Sequence, residues 1–426
     1  MPSATPLPRG PSRLALFGAE DLLCATGCPV CRYVAEARDR YLGWFALEAH
    51  AEASTITRLC RSLGFCPAHS RELLGQPGAE GRMTAVYRDL LRAAAGYLAA
   101  GTAPPAPCPA CEHDAEAAHR SLDTLLTGLR EDELRDRYRD ADGLCLPHLR
   151  AAASRGGRPL TAWLAGETIA RLAGADAPRA LALLAGDRDP DADVRVRLRA
   201  ALPAGPPRSA GVCEPCLAAA LAERAALARP RSGLCPAHLQ EACTAVDGGG
   251  HGPLSSAAAQ VLTLNSERPA SWLIRTAEPV GLAAATLARV VRRRDPGRGA
   301  DTGPCPACRA ASTAAAGWLG AWSAGTDAVA AVPPPRLCLR HVMPLRPRDP
   351  RAAGTAVRGA AAATATILEE LEEAIRKRAW ANRSEPRGRE MTAWRRAAAL
   401  IDGRVYGGGR PGPLDWRPAG ERRGVK

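Results

Sequence analysis

Aromatic residues make up only 4% of this 426-residue chain, and Phe occurs just three times. The apolar fraction of 46% consists mostly of Ala and Leu instead. This composition favours helices and argues against an all-β sandwich, whose strands need β-branched and aromatic side chains. Charged residues at 24% beside that apolar fraction also exclude a wholly disordered chain. We therefore expect an all-α protein.

Lysine is almost missing as well, since Lys377 and Lys426 are the only two, and Arg supplies the net charge of +13. Such a charge can indicate a polyanionic partner. However, segment 386–426 alone contains ten basic and four acidic residues, so the rest of the chain is only mildly basic. A nucleic-acid partner stays open as the alternative. Its candidate contacts are Arg292, Arg293, Arg294, Arg395 and Arg396.

Long apolar runs are also missing. No stretch reaches the ~18 apolar residues that a transmembrane helix needs, and the N-terminal residues lack the apolar core of a secretory signal. We therefore expect a cytoplasmic protein with no membrane partner. In a reducing compartment, fifteen cysteines indicate metal ligands or redox thiols rather than disulfides.

Twelve of those cysteines fall in two motifs, CxxC and CxxH, that alternate strictly and occur four times each. The CxxC pairs are Cys28 and Cys31, Cys108 and Cys111, Cys213 and Cys216, and Cys305 and Cys308. The CxxH pairs are Cys66 and His69, Cys145 and His148, Cys235 and His238, and Cys338 and His341. The residues between a CxxC and the next CxxH number 34, 33, 18 and 29. The pattern predicts a fourfold internal repeat. The remaining cysteines, expected to be buried thiols, are Cys24, Cys60 and Cys243.

One CxxC and one CxxH together supply three thiolates and one imidazole, a common closed ligand set for Zn²⁺. We expect each CxxC to bind an ion with the CxxH of the same copy, because this pairing leaves no motif over and needs the shorter loops. The chain would then hold up to four zinc ions. Three CxxH motifs have a nearby proline, which predicts that they lie at helix N-termini, where the helix dipole favours an anionic site. Those prolines are Pro67, Pro147 and Pro236.

The repeat predicts a tandem array of four small helical modules, each stapled by a Cys₃His zinc site. A disordered N-terminus is expected before the array, and a basic, Gly/Pro-rich and partly disordered tail after it, with a short helix near Met391–Ile401. The expected segments are 1–20 for the N-terminus, 21–101 for module 1, 102–205 for module 2 with extra helices, 206–297 for module 3, 298–385 for module 4 and 386–426 for the tail.

Three other chemistries fit parts of the pattern. CxxC also occurs in thioredoxin-type redox sites, but those need alternating strands and leave CxxH unexplained. Thiolates bind iron–sulfur clusters too, so these stay a minor alternative. Zinc deaminases combine HxE with PCxxC, which His50, Glu52, Cys108 and Cys111 match literally. No strands are predicted around them, so a deaminase or hydrolase stays the least favoured reading.

The glycine before the CxxH motif adds a family resemblance. Segments 64–69, 143–148 and 233–238 read GFCPAH, GLCLPH and GLCPAH, and each follows a CxxC and a helical stretch. This combination resembles an uncharacterised bacterial family of helical proteins with repeated CPxC and G[FL]CxxH modules. The fourth copy departs from it, with Arg336 and Leu337 before Cys338. The resemblance implies metal sites and a bacterial origin, and no activity.

Four closed ligand sets without a catalytic constellation predict a non-enzymatic zinc-binding protein. We expect a protein-interaction or regulatory scaffold whose main partner is another protein. Zinc would supply folding energy to helical units with modest, Ala-rich cores.

Overall fold

The computed structural model describes residues 13–24, 26–76, 79–187, 213–228, 232–247, 256–277, 305–325, 337–345 and 350–403. Across these ranges, all regular secondary structure is helical and strands are absent. The expected all-α class is therefore confirmed, in keeping with the high helix propensity of Ala and Leu.

The described residues up to 187 form ten α-helices and a 3₁₀ turn at Ala49–Ala51. The α-helices are α1 (Arg13–Leu23), α2 (Pro29–Leu47), α3 (Ala53–Arg61), α4 (Pro67–Gly75), α5 (Ala79–Ala100), α6 (Pro109–Gly128), α7 (Asp132–Asp140), α8 (Leu146–Ala153), α9 (Gly157–Gly174) and α10 (Ala177–Ala185).

The described residues after 212 form further helices of very different length. These are α11 (Glu214–Leu227), α12 (Pro236–Asp247), α13 (Ser256–Thr276), α14 (Pro306–Gly325), α15 (Leu339–Val342), α16 (Pro350–Arg378) and α17 (Ala393–Asp402). Short 3₁₀ turns lie at Met343–Leu345, Trp380–Asn382 and Arg389–Thr392.

The chain divides into two compact units, each built from segments that are distant in sequence. The first unit comprises Met1–Ala37, Asp114–Arg197 and Ala225–Ala307, and the second comprises Arg38–His113, Leu198–Arg224 and Cys308–Lys426. Each unit therefore combines residues from the early and the late repeat copies. Independent folding of the four sequence modules stays a prediction.

The core of the first unit packs against the residues that precede the CxxH motif at Cys145. Helices α9, α12 and α13 pack together here, and the fully buried Tyr138 lies among their leucines. The Tyr138 hydroxyl accepts a hydrogen bond of 2.9 Å from the N–H of Leu144. The Arg171 guanidinium lies 4.8 Å from the centre of the Tyr138 ring. These contacts fix the backbone next to Cys145.

The core of the second unit is formed by α5, α16 and α17, which pack against one another, and by aromatic residues from α2 and the turn before α4. Phe45 and Phe65 meet edge to face with their ring centres 5.0 Å apart. Phe65 directly precedes Cys66, so its burial anchors a second CxxH motif in the core.

Helices extend into both terminal segments. Residues 13–20 belong to α1, where Ala19 is fully buried, so this part of the expected disordered segment is helical; residues 1–12 lie outside the described ranges. The short helix expected near Met391–Ile401 is confirmed as α17, and nearly every residue of α17 is buried. Residues 404–426 lie outside the described ranges.

The packing of α16 predicts that Leu371→Ala destabilises the second unit. Leu371 is fully buried, so the change removes apolar contacts and leaves a cavity. We expect a loss of about 2–5 kcal/mol in the free energy of unfolding, measured by urea denaturation followed by circular dichroism. Leu47→Ala is the matched control, because Leu47 is 56% exposed. Equal losses in the two variants would contradict this packing.

Candidate metal centres

The sixteen motif residues gather in four clusters, in each of which the candidate ligand atoms all lie within 4.8 Å of one another. Centre A contains Cys28, Cys31, Cys145 and His148; centre B contains Cys66, His69, Cys108 and Cys111; centre C contains Cys213, Cys216, Cys338 and His341; centre D contains Cys235, His238, Cys305 and Cys308. Every expected ligand is therefore placed beside three others.

The expected pairing within each copy is wrong. Copies one and two exchange partners, so that the first CxxC joins the second CxxH while the first CxxH joins the second CxxC. Copies three and four repeat this nested order. The number of residues between two motifs is a poor guide to pairing here, because a rigid helix separates them. At about 1.5 Å per residue, the 19 residues of α2 carry the chain about 28 Å from Cys28, and the 9 residues of α3, about 14 Å long, are too short to bring it back to Cys28 before Cys66.

Each motif lies at the start of a helix. Cys66, Cys145 and Cys338 are the N-cap residues of α4, α8 and α15, with ψ near 160°. The expected position of CxxH at a helix N-terminus is thus confirmed, even for the fourth copy, which lacks the proline. The CxxC motifs follow the same rule, because α2, α6, α11 and α14 begin one residue after the first cysteine. Each centre therefore lies where the positive ends of two helix dipoles meet.

The distances fit one tetrahedral ion. From the histidine Nδ1 atom, the three sulfurs lie at 3.5, 3.4 and 3.2 Å in centre A, at 3.3, 3.6 and 3.5 Å in centre B and at 3.4, 3.4 and 3.1 Å in centre C. In centre D, Cys235 and Cys305 lie 3.2 and 3.4 Å from His238 Nδ1. Tetrahedral zinc, with bonds of ~2.3 Å to sulfur and ~2.0 Å to nitrogen, separates such atoms by about 3.5 Å.

The sulfur atoms are too far apart for disulfides. Sγ atoms from different motifs lie 3.7 Å apart in centres A and B and 3.9 Å apart in centre C, whereas a disulfide needs ~2.05 Å. All fifteen cysteines lie in the described ranges, and none of them forms a disulfide. The absence of disulfides expected for a reducing compartment is therefore matched by the geometry of the clusters.

Crowding of the thiols shows why these clusters favour a cation. A side-chain hydrogen bond from Cys108 lowers the pKa of Cys66 to about 3, and the same contact raises the pKa of Cys108. Contacts with Cys216 lower the pKa of Cys213, while contacts with Cys213 raise the pKa of Cys338. One thiolate thus opposes ionisation of the next. Three thiolates can coexist in one cluster when a cation lies among them.

The glycines of the G[FL]C segments have a backbone role. Gly64, Gly143 and Gly233 adopt φ values of 88°, 79° and 81°, a region in which residues with a Cβ are strained. The turn directs the following Phe65 or Leu144 into the core. The shared motif is therefore explained by a tight turn that places the cysteine at the start of the helix. Arg336, where the fourth copy departs, lies outside the described ranges.

Another glycine with positive φ, Gly186, brings the backbone against the sulfurs of centre A. Gly186, with φ of 93°, directly follows α10, and a Cβ there would lie 3.3 Å from Cys31 Sγ and 3.8 Å from Cys145 Sγ. The next residue, Asp187, accepts hydrogen bonds of 2.9 and 3.1 Å from the N–H of Cys28. A Cβ at 3.3 Å from a sulfur is tighter than most such contacts, and a φ of 93° strains any residue that has a side chain, so both features favour glycine at this position.

The cover of centre A is held by the helix that begins at centre D. The Gln240 side-chain amide on α12 donates to the carbonyls of Ala185, Gly186 and Asp187, at 3.3, 3.0 and 2.9 Å. Gln240 is itself buried and lies two residues after His238. Centres A and D therefore share one hydrogen-bonded segment.

Centre C has an equivalent cover. Gly403, with φ of 68°, follows α17, and a Cβ there would lie 2.6 Å from Cys216 Sγ and 2.7 Å from Cys338 Sγ. The neighbouring Asp402 carboxylate is buried and accepts a hydrogen bond of 2.8 Å from Arg340. Arg340 lies between two ligands in sequence, so the cover is tied to the centre itself.

Arg340 also connects centre C with centre B. Its guanidinium donates a second hydrogen bond of 2.8 Å to the carbonyl of Phe65, which precedes Cys66. No motif marks the residues that cover or connect the centres. The weak signal available is a short Ala/Leu-rich helix ending in a glycine and an aspartate. The residues missed from sequence are Gly186, Asp187, Gln240, Arg340, Asp402 and Gly403.

The expected basic contacts are only partly described. Arg292, Arg293 and Arg294 lie outside the described ranges. Arg396 is 6% exposed and forms an ion pair with Glu370. The Arg395 guanidinium lies 5.0 Å from the centre of the Trp394 ring. Arg396 is therefore engaged inside the second unit rather than displayed on its surface.

The residues that match the deaminase motif do not form one site. Cys108 and Cys111 join Cys66 and His69, and His50 is not in their cluster. The Glu52 carboxylate accepts a hydrogen bond of 3.0 Å from Thr55.

The cysteines outside the motifs differ from one another in burial. Cys243 is buried as expected and Cys60 is half-buried, but Cys24 is exposed, so the expectation of a buried thiol is wrong there. Cys24 directly follows the last residue of α1.

No protein-family model, curated protein or solved structure matches this chain. The resemblance to the bacterial CPxC and G[FL]CxxH family therefore rests on the motifs alone. None of the helices in the described ranges has the length and apolarity that a bilayer crossing requires.

The nested pairing and the within-copy pairing predict opposite results when one cluster histidine is replaced. His148→Ala should remove the zinc of centre A and expose Cys28 to alkylation, while Cys108 keeps its wild-type rate. His69→Ala should do the opposite, because Cys108 shares centre B with His69. Quantitative mass spectrometry of alkylated peptides measures both rates. Exposure of Cys108 by His148→Ala, with Cys28 unchanged, would restore the within-copy pairing.

Proposed function

We propose that this protein is a cytoplasmic zinc protein whose four Cys₃His centres hold its helices together, and that it acts as a non-enzymatic scaffold for protein partners. The observation that carries the proposal is the set of four clusters, each of three cysteines and one histidine whose candidate ligand atoms all lie within 4.8 Å of one another. Zinc bound by four protein ligands has no open position for substrate, which is the usual arrangement of structural sites.

Zinc is favoured over an iron–sulfur cluster by the spacing of the ligand atoms. All four ligand atoms of each cluster lie within 4.8 Å of one another, which suits a single ion. Cysteines that bind a multi-iron cluster attach to different iron atoms and must lie farther apart. A ligand set of three thiolates and one imidazole is also common for structural zinc.

A protein partner is supported by apolar side chains on the surface of the second unit. Trp44 and Leu47, three residues apart on α2, are 40% and 56% exposed. Residues at this spacing lie on one face of a helix. Exposed aromatic residues are enriched where proteins contact one another.

The nucleic-acid alternative rests on the net charge of +13. Among its five expected arginines, the described Arg396 is buried and paired with Glu370. We therefore keep this alternative second to the protein scaffold. The bacterial family resemblance implies no activity and does not separate the two.

The proposal predicts about four zinc ions per chain and no visible absorption band in protein purified without added metal. Elemental mass spectrometry and an absorption spectrum measure both. Chelation should then lower helicity and the melting temperature, because structural zinc contributes roughly 10–16 kcal/mol per site in small domains. The control Cys24→Ser changes an exposed cysteine outside the clusters and should retain all the zinc. A brown, iron-containing protein, or a melt unchanged after metal removal, would contradict the proposal.

A further inference from the structure

The four centres fall into two classes by solvent access. In centres A and C every ligand residue is buried or half-buried. In centres B and D one ligand is exposed, and in both it is the second cysteine of the CxxC motif, Cys111 or Cys308. The classes follow the nested order of the motifs, since A and C use the outer motif pairs and B and D use the inner pairs.

The glycine covers explain this difference for centres A and C. The backbone at Gly186 and Gly403 lies so close to the cluster sulfurs that a Cβ would lie 3.3 Å from one sulfur in centre A and 2.6 Å from one in centre C. This close approach of a backbone to a cluster sulfur is seen in the described ranges at Gly186 and Gly403. Centres A and C thus have a glycine backbone lying against their sulfurs, whereas centres B and D each have an exposed ligand cysteine.

Access to sulfur controls how a bound ion leaves. Thiolate ligands stay nucleophilic, and their reactivity follows exposure. An entering ligand must also reach the ion before a protein ligand departs. Both routes are open beside an exposed sulfur and are blocked by a backbone segment lying on the sulfurs.

We infer that centres B and D exchange their zinc with thiolate-bearing ligands in solution, through Cys111 and Cys308, whereas centres A and C retain theirs. This inference rests on the proposed zinc binding and adds a metal-transfer site to it. The acceptor class is a small thiol or a thiol-rich metal-binding chain. Such ligands provide the soft sulfur atoms that zinc already has in these centres.

The exchange step involves no oxidation. An entering thiolate forms a bond to zinc as the bond between zinc and the Cys111 Sγ atom breaks. The released Cys111 thiolate keeps its electron pair and takes a proton from water. Further thiolates complete the transfer in the same way, and zinc stays divalent throughout.

Two measurements on the intact, zinc-loaded chain test the inference. Zinc release to a chromogenic chelator should show two phases of about two ions each, with rates that differ about tenfold or more, as the difference in exposure predicts. In parallel, limiting N-ethylmaleimide should modify Cys111 and Cys308 before Cys31 and Cys216. These two comparison residues hold the same motif position in the covered centres.

A substitution in the backbone that covers centre C should make this centre release zinc as fast as centres B and D. Gly403→Ala places a Cβ 2.6 Å from Cys216 Sγ, so the segment must move off centre C. The fast phase should then grow from two zinc ions to three. Gly96→Ala is the matched control, because a Cβ there meets no atom within 4 Å and its release should stay unchanged. Circular dichroism verifies that both variants are folded.

The outcomes separate this inference from the proposed function. A chain that binds four zinc ions and releases them at one rate, or that reacts first at Cys31 and Cys216, overturns the inference and leaves structural zinc intact. A chain that binds no zinc after reconstitution overturns both. If purified protein holds fewer than four ions, cysteine reactivity locates the losses: empty centres B and D support the inference, and an empty A or C contradicts it.

Discussion

Three thiolates packed around one imidazole repel one another, and a cation among them turns that repulsion into attraction. The proposed zinc centres depend on this arrangement, and each of them joins segments that are distant in sequence. The outer centres join cysteines 114 and 122 residues apart, and centre B joins cysteines 45 residues apart. The entropy lost in closing a loop grows slowly with length, by about 0.6 kcal/mol per doubling. Under the proposed zinc binding, one centre would therefore hold together segments that are remote in sequence, such as those that make up each compact unit.

The two halves of the chain correspond to each other centre by centre. Centres A and C share the same order of ligand burial, and each lies under a glycine with positive φ that follows a short helix. Centres B and D share an exposed second cysteine. The sequence of four motif pairs is thus better described as two copies of a nested pair. This view also explains the short insert of 18 residues in the third copy, because its CxxC and CxxH bind different ions.

Short sequence motifs predicted which residues lie in the clusters, whereas loop length predicted the wrong pairing of those motifs. CxxC and CxxH spacing identified all sixteen residues of the four clusters, and proline predicted CxxH at helix starts, because both signals are contained within four residues. The pairing depends on where α2 and α3 carry the chain, so loop length alone gave the wrong answer. Gly186 and Gly403 carry only a weak signal, a short Ala/Leu-rich helix that ends beside them. Their role appears only when the backbone of a distant helix end is placed against the sulfurs.

The most direct test of this account is a crystal structure with anomalous diffraction data collected on both sides of the zinc absorption edge. The account predicts four zinc peaks per chain, each bounded by the CxxC of one copy and the CxxH of its nested partner. A peak between Cys28 and Cys66, or cysteine clusters without a zinc signal, would contradict it.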